Sequence, residues 1–96
     1  MSQYIRVVRF TDVSPDRMQD LVTRIDEADG PPPGVSTTSL KLLLDESQGT
    51  AIAIQEFSSA ADMDAGGQVL SAMDSSDTPG TRVSVDECEV KLELDA

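Results

Sequence analysis

Histidine, tryptophan and asparagine occur nowhere in the 96 residues, and cysteine occurs once, at Cys88. Without histidine the chain can build neither an imidazole metal site nor an imidazole general base. One cysteine cannot close an internal disulfide, and a reducing cytoplasm is the expected compartment. Aromatic residues stop at Tyr4, Phe10 and Phe57, so the core must come from Leu, Ile, Val, Met and Ala. Bases are scarce as well: seven Lys and Arg face eighteen Asp and Glu, for a formal charge of −11. Phosphate backbones and anionic membrane surfaces are held by clustered Lys and Arg, so neither nucleic acid nor membrane is expected as a partner. No apolar run approaches the roughly 18 residues of a membrane span, and no basic-then-apolar start suggests a signal peptide.

What is present is regular. Tyr4 to Thr11 (YIRVVRFT) is rich in β-branched and aromatic residues and reads as a strand. Ser14 and Pro15 then supply an N-cap and a first helical residue. Met18, Leu21, Val22, Ile25 and Ala28 recur at helical spacing as far as Gly30, and Pro31, Pro32 and Pro33 form a stiff spacer. Val35–Glu46 and Thr50–Phe57 read as a hairpin with a three-residue loop, Ser47-Gln48-Gly49. That register pairs Leu44 with Ile52, Leu42 with Ile54 and Leu40 with Glu56, which puts the leucines and isoleucines on one face. A second helix capped by Ser58 or Ser59 carries Met63, Val69, Leu70 and Met73. A turn-rich loop, 74–80, leads to a last strand, Thr81 to Leu94, whose apolar phase changes midway. A β-bulge near Asp86-Glu87 would reconcile the two halves.

Strand, helix, hairpin, helix, strand in one domain spanning 1–96 is the ferredoxin-like βαββαβ arrangement: a four-stranded antiparallel sheet with two helices on one face. The uncovered face should be polar. Here both parities are apolar, with Ile5 and Val7 beside Val8 and Phe10, and Leu43 opposite the leucine face. Something is expected to pack on that second face, most simply another copy of the chain.

In element order the chain resembles the dimeric α+β barrel superfamily and, within it, the antibiotic-biosynthesis-monooxygenase-like proteins. The best local match is Ile52 to Ala65 (IAIQEFSSAADMDA), a strand ending in acid-aromatic that runs through small polar residues into a helix. The resemblance implies a homodimer in which two sheets close a barrel, with a pocket in each monomer between sheet and helices. Many members place a histidine on the second helix, where this chain has Gly66-Gly67. The haem-degrading branch uses asparagine, tryptophan and histidine, all missing here.

No catalytic residue, cofactor site or metal site is therefore assigned from the sequence. Asp62 and Asp64 fit the first turn of a helix better than a calcium loop, since Met73 stands where a closing Glu belongs. Asp74 and Asp77 read as turn residues. Asp86, Glu87 and Glu89 fit a charged strand edge. Cys88 is expected to be a buried, inert thiol. One constellation remains: Tyr4, Arg6 and Glu56 as polar residues of a pocket, with Arg6 and Glu56 meeting across neighbouring strands. The function expected on these grounds is a non-catalytic binding or interaction module with a possible small apolar ligand. The alternative is a cofactor-independent monooxygenase-like enzyme acting on a small aromatic or polyketide-type substrate. A space between sheet and helices filled by Leu42, Leu44, Ile54, Met18 and Met73 would remove that alternative, and an open apolar cavity of several hundred cubic ångströms would revive it.

Overall fold

A computed structural model describes residues 3–28, 30–72 and 78–95. Tyr4–Thr11 forms strand β1, whose Arg6, Val8 and Phe10 are buried while Arg9 is exposed. Helix α1, Pro15–Glu27, starts where the sequence expects: the Ser14 hydroxyl accepts from the Arg17 N–H and Pro15 takes the first position. Strands β2, Ser39–Asp45, and β3, Thr50–Phe57, form the hairpin. Helix α2, Ala60–Ser71, is capped by the Ser59 hydroxyl, which accepts from the Asp62 N–H at 3.1 Å. Strand β4 covers Thr81–Glu89. The sheet is antiparallel with order β2-β3-β1-β4, and two helices accompany it, which makes this a ferredoxin-like α+β fold.

The hairpin register differs from the expected one by a single residue. Asp45 pairs with Thr50, Leu44 with Ala51, Leu42 with Ala53 and Leu40 with Gln55. The loop holds four residues because the Asp45 carboxylate organises it, accepting from Ser47 Oγ at 2.7 Å, the Gln48 N–H at 3.3 Å and Gln48 Nε2 at 2.8 Å. Gly49 closes the turn at φ 65°. A slip of one residue inverts a strand. Ala51, Ala53 and Phe57 are the buried residues of β3, and Ile52 and Ile54 lie on the opposite parity with Glu56.

The last strand also departs from expectation. It stops at Glu89, so Val90, Leu92 and Leu94 belong to a segment beyond it, and the apparent phase change at Asp86-Glu87 reflects a strand end. The bulge falls at Val83, between the pairs Arg9–Ser84 and Phe10–Arg82. Cys88 pairs with Ile5 and is exposed, which corrects the expectation of a buried thiol. Met73, Asp74 and Asp77 lie outside the described residues.

The core divides in two. Val8, Phe10, Val13, Met18, Ala51 and Ala53 form one cluster, against which Leu21 and Leu42 pack. Val35, Phe57 and Met63 form the other, with Tyr4, Val69 and Leu70. Along β1, Arg6 falls between the two, at 2% exposure. Gly66 and Gly67 let α2 approach the sheet closely: a β-carbon at 66 would lie 2.8 Å from the Phe57 ring, and one at 67 would lie 3.4 Å from Arg6 Nε.

Candidate ligand cavity

The register decides how much space lies between sheet and helices. With Ala51 and Ala53 turned inward in place of two isoleucines, β3 presents methyl groups where the sequence reading put branched side chains. Helix α1 does not close the space, because Ile25 and Ala28 near its C-terminal end remain exposed beside it. The result is a cavity of about 750 Å³, within the range of roughly 300–1,000 Å³ typical of small-molecule sites. Sheet residues Val8, Phe10, Leu40, Leu42 and Ala53 form its floor. Leu21 and Ile25 of α1, Leu70 of α2 and the segment Pro31-Pro32-Pro33 also line it. Three successive prolines have fixed φ angles and no N–H to satisfy, so they can line an apolar space without orphaning backbone donors.

Arg6 is the buried polar residue of this cavity. Its Nη1 donates to Gln55 Oε1 at 2.9 Å and its Nη2 to Ser71 Oγ at 3.2 Å, which ties β1 to β3 and to the end of α2. Nε lies 4.0 Å from Glu87 Oε1 and makes no hydrogen bond among the described residues. Burial pushes the guanidinium below its ordinary pKa, Glu87 pulls it back up, and Arg82 lowers it again. An arginine stays charged under such a shift, so a cation persists in the wall of a mostly apolar, half-open cavity.

The residues singled out from the sequence part company here. Arg6 lines the cavity. Tyr4 packs with Val35, Phe57 and Met63 instead, and its hydroxyl donates to Glu89 Oε2 at 3.3 Å. Glu56 does not meet Arg6: it pairs with Ile5, one position along from the Arg6–Gln55 pair, and so faces the other side of the sheet. Its carboxylate accepts from Ser39 Oγ at 3.2 Å, and its backbone carbonyl accepts from the Thr38 N–H at 2.8 Å and Thr37 Oγ1 at 2.7 Å. Glu56 thus anchors the entry to β2. The partner that sequence reasoning missed is Gln55, which the correct loop length would have turned to the Arg6 face of the sheet and the β1–β3 register sets opposite Arg6.

The carboxylates do not converge. Asp86 pairs with Val7 and Glu87 with Arg6, so the two point to opposite faces of the edge strand. Asp64 accepts from Gln68 Nε2 within its own helix. No cluster of three or more metal-ligating side chains occurs among the described residues. No helix among them is long and apolar enough to cross a membrane. Comparison with known proteins adds nothing to this description: no family model, curated protein or solved structure matches the chain.

Proposed function

We propose that this chain is a binding module that holds one small, largely apolar molecule between its sheet and its helices, and that it works as a homodimer. The observation that carries the reading is the apolar cavity of about 750 Å³ with one buried, hydrogen-bonded arginine in its wall. A few fixed polar groups in an otherwise apolar enclosure orient a ligand without chemistry of their own. The described lining contains Arg, Ser, Thr and Gln but no Asp, Glu, Cys, Lys or Tyr to serve as a general base.

The dimer rests on the other face of the sheet. Ile5, Val7, Leu43, Ile52 and Ile54 share the parity that the buried residues leave open, and Leu43 is 45% exposed. A second copy, face to face, would cover them as in the dimeric α+β barrels that the element order resembles. An exposed lone thiol at Cys88 suits a reducing compartment such as the cytoplasm.

The same open cavity supports a second reading, a cofactor-independent monooxygenase-like enzyme whose aromatic or polyketide-type substrate supplies electrons to oxygen itself. Native mass spectrometry of protein purified from its own host tests both. A dimer mass carrying one small molecule per chain is the expected result. A bare monomer would overturn the binding-module reading. Conversion of the retained molecule in air by the purified protein would favour the enzyme.

A further inference from the structure

Among the described residues that line the cavity, bases replace the acids that dominate the chain. Arg6, Arg24 and Arg82 line it, three of the chain's five arginines, while none of its eighteen acids appears among the described lining residues. Arg24 has a partner of its own and Glu87 stands 4.0 Å from Arg6, so the charge offered to a ligand is that of Arg6 and Arg82.

Arg6 is also incompletely used. A guanidinium carries five N–H donors in a planar fork. Among the described residues Arg6 gives one bond to Gln55 and one to Ser71, while Nε–H, fully buried, has none. Arg82 is the inward neighbour of Phe10 on β4, on the Arg6 side of the sheet, close enough for the two cations to repel. Glu87, half-exposed and 4.0 Å from Nε, offsets part of this charge without a hydrogen bond to it, so a second anion on the cavity side would complete the pairing of a cation that is 2% exposed.

Resting on the binding-module reading, we infer that the ligand is an acid: an apolar body carrying a single carboxylate, with the carboxylate at the Arg6 end of the cavity and Arg82 beside it. The apolar body fills the space between Leu21, Ile25, Leu42 and the prolines. A guanidinium fork takes a carboxylate through two parallel hydrogen bonds. A single negative charge fits better than a phosphate dianion. The C-terminal residues of both helices, Ala28 and Leu70, reach the cavity, and helix C-termini carry partial negative charge that opposes a second unit of anion. At the buried Arg6 end, extra anionic charge would also have to be partly desolvated.

The test is fluorescence titration of the full chain with dansylaminoundecanoic acid and, separately, with its methyl ester. The chain holds no tryptophan, so dansyl emission is read without indole interference. The acid is expected to saturate at one per chain and to bind at least about tenfold more tightly than the ester, the scale of one charged hydrogen-bonded contact. Arg6→Met, of comparable length and apolar, is expected to bring the acid-to-ester ratio close to one while leaving ester binding in place. Arg82→Gln, at an exposed position, should lower the ratio as well. Should Arg6→Met fail to fold by circular dichroism, Arg82→Gln decides the matter, and an unchanged ratio overturns the assignment. Equal binding of acid and ester by the unaltered protein overturns the anion inference and leaves the binding module standing. Binding of neither overturns both.

Discussion

A methyl group at position 66 would meet Phe57 Cε1 at 2.8 Å and Cζ at 3.1 Å, and Phe57 has no exposed surface into which to retreat. At position 67 the nearest atom, at 2.7 Å, is Glu87 Oε1, the free end of a half-exposed side chain. Alanine is favoured over glycine inside a helix by about 1 kcal/mol, while forcing extra volume into a packed core costs about 1–3 kcal/mol. The overpacking outweighs propensity at 66 and not at 67. Gly66→Ala is therefore expected to destabilise the chain by about 1–2 kcal/mol. Gly67→Ala should be neutral or stabilising by up to about 1 kcal/mol as Glu87 swings aside. Urea denaturation of the two variants reads the difference, and equal destabilisation would mean that both glycines are backed by rigid neighbours. Arg6 obeys a related rule at the same scale. Arg6→Ala removes two hydrogen bonds and a buried stem, so a loss of about 2–4 kcal/mol is expected. Arg6→Met, which refills the volume, should lose less than half of that in the same measurement.

Elements in this chain were easier to read than their phases. Strand, helix, hairpin, helix and strand occur in the expected order, although β2 starts at Ser39 rather than Val35 and β4 stops at Glu89 rather than Leu94. Both helices start where Ser14-Pro15 and Ser59 put them, because these are local signals whose meaning does not depend on the rest of the fold. Phase depends on one count, the length of the β2–β3 loop, and three residues against four inverts a whole strand. Ser47-Gln48-Gly49 looks like a complete turn until Asp45 is recognised as the residue that holds it. From that count follow the inward alanines, much of the cavity, the turn of Gln55 to the Arg6 face and the exclusion of Glu56. Arg6 itself was legible by its parity with Val8 and Phe10. Arg24 and Arg82 were not, since only the folded sheet and helix bring them to the same space. Asp45 carries the prediction that belongs here. Its carboxyl sits below the ordinary value, chiefly through the hydrogen bond from Ser47. A group depressed in the folded state stabilises it above the unfolded pKa, about 3.9, and that stabilisation is lost as pH falls through the lower, folded value. The amide resonance of Gln48 should therefore titrate below the usual carboxylate range, with exchange at the loop rising as it does. In Asp45→Ala the titration should vanish and loop amides should exchange faster at neutral pH.

At the scale of the molecule, charge and apolar surface pull against each other. The open sheet face asks to be covered, yet each chain carries a formal charge of −11, so two copies repel as they approach. Repulsion between exposed charges is screened over about 8 Å at 0.15 M ionic strength, whereas apolar burial is not weakened by such salt. The proposed dimer should then tighten as salt is raised from low to physiological levels, the reverse of an association driven by opposite charges. Sedimentation equilibrium across that range reads the sign directly. Ile54→Lys places a second cation between Val7 and Lys41, its partners on β1 and β2, without touching the cavity on the other side. It should leave a folded monomer at concentrations where the unaltered chain is paired, with acid binding retained. Cys88 reports the same event independently, because it pairs with Ile5 on that face and is exposed in the single chain. Its reaction with a thiol reagent should slow as protein concentration rises, and Ile54→Lys should restore the fast rate at every concentration. A labelling rate indifferent to concentration, together with a monomer at all salt levels, would mean that two-sided apolarity in this sheet is not an interface.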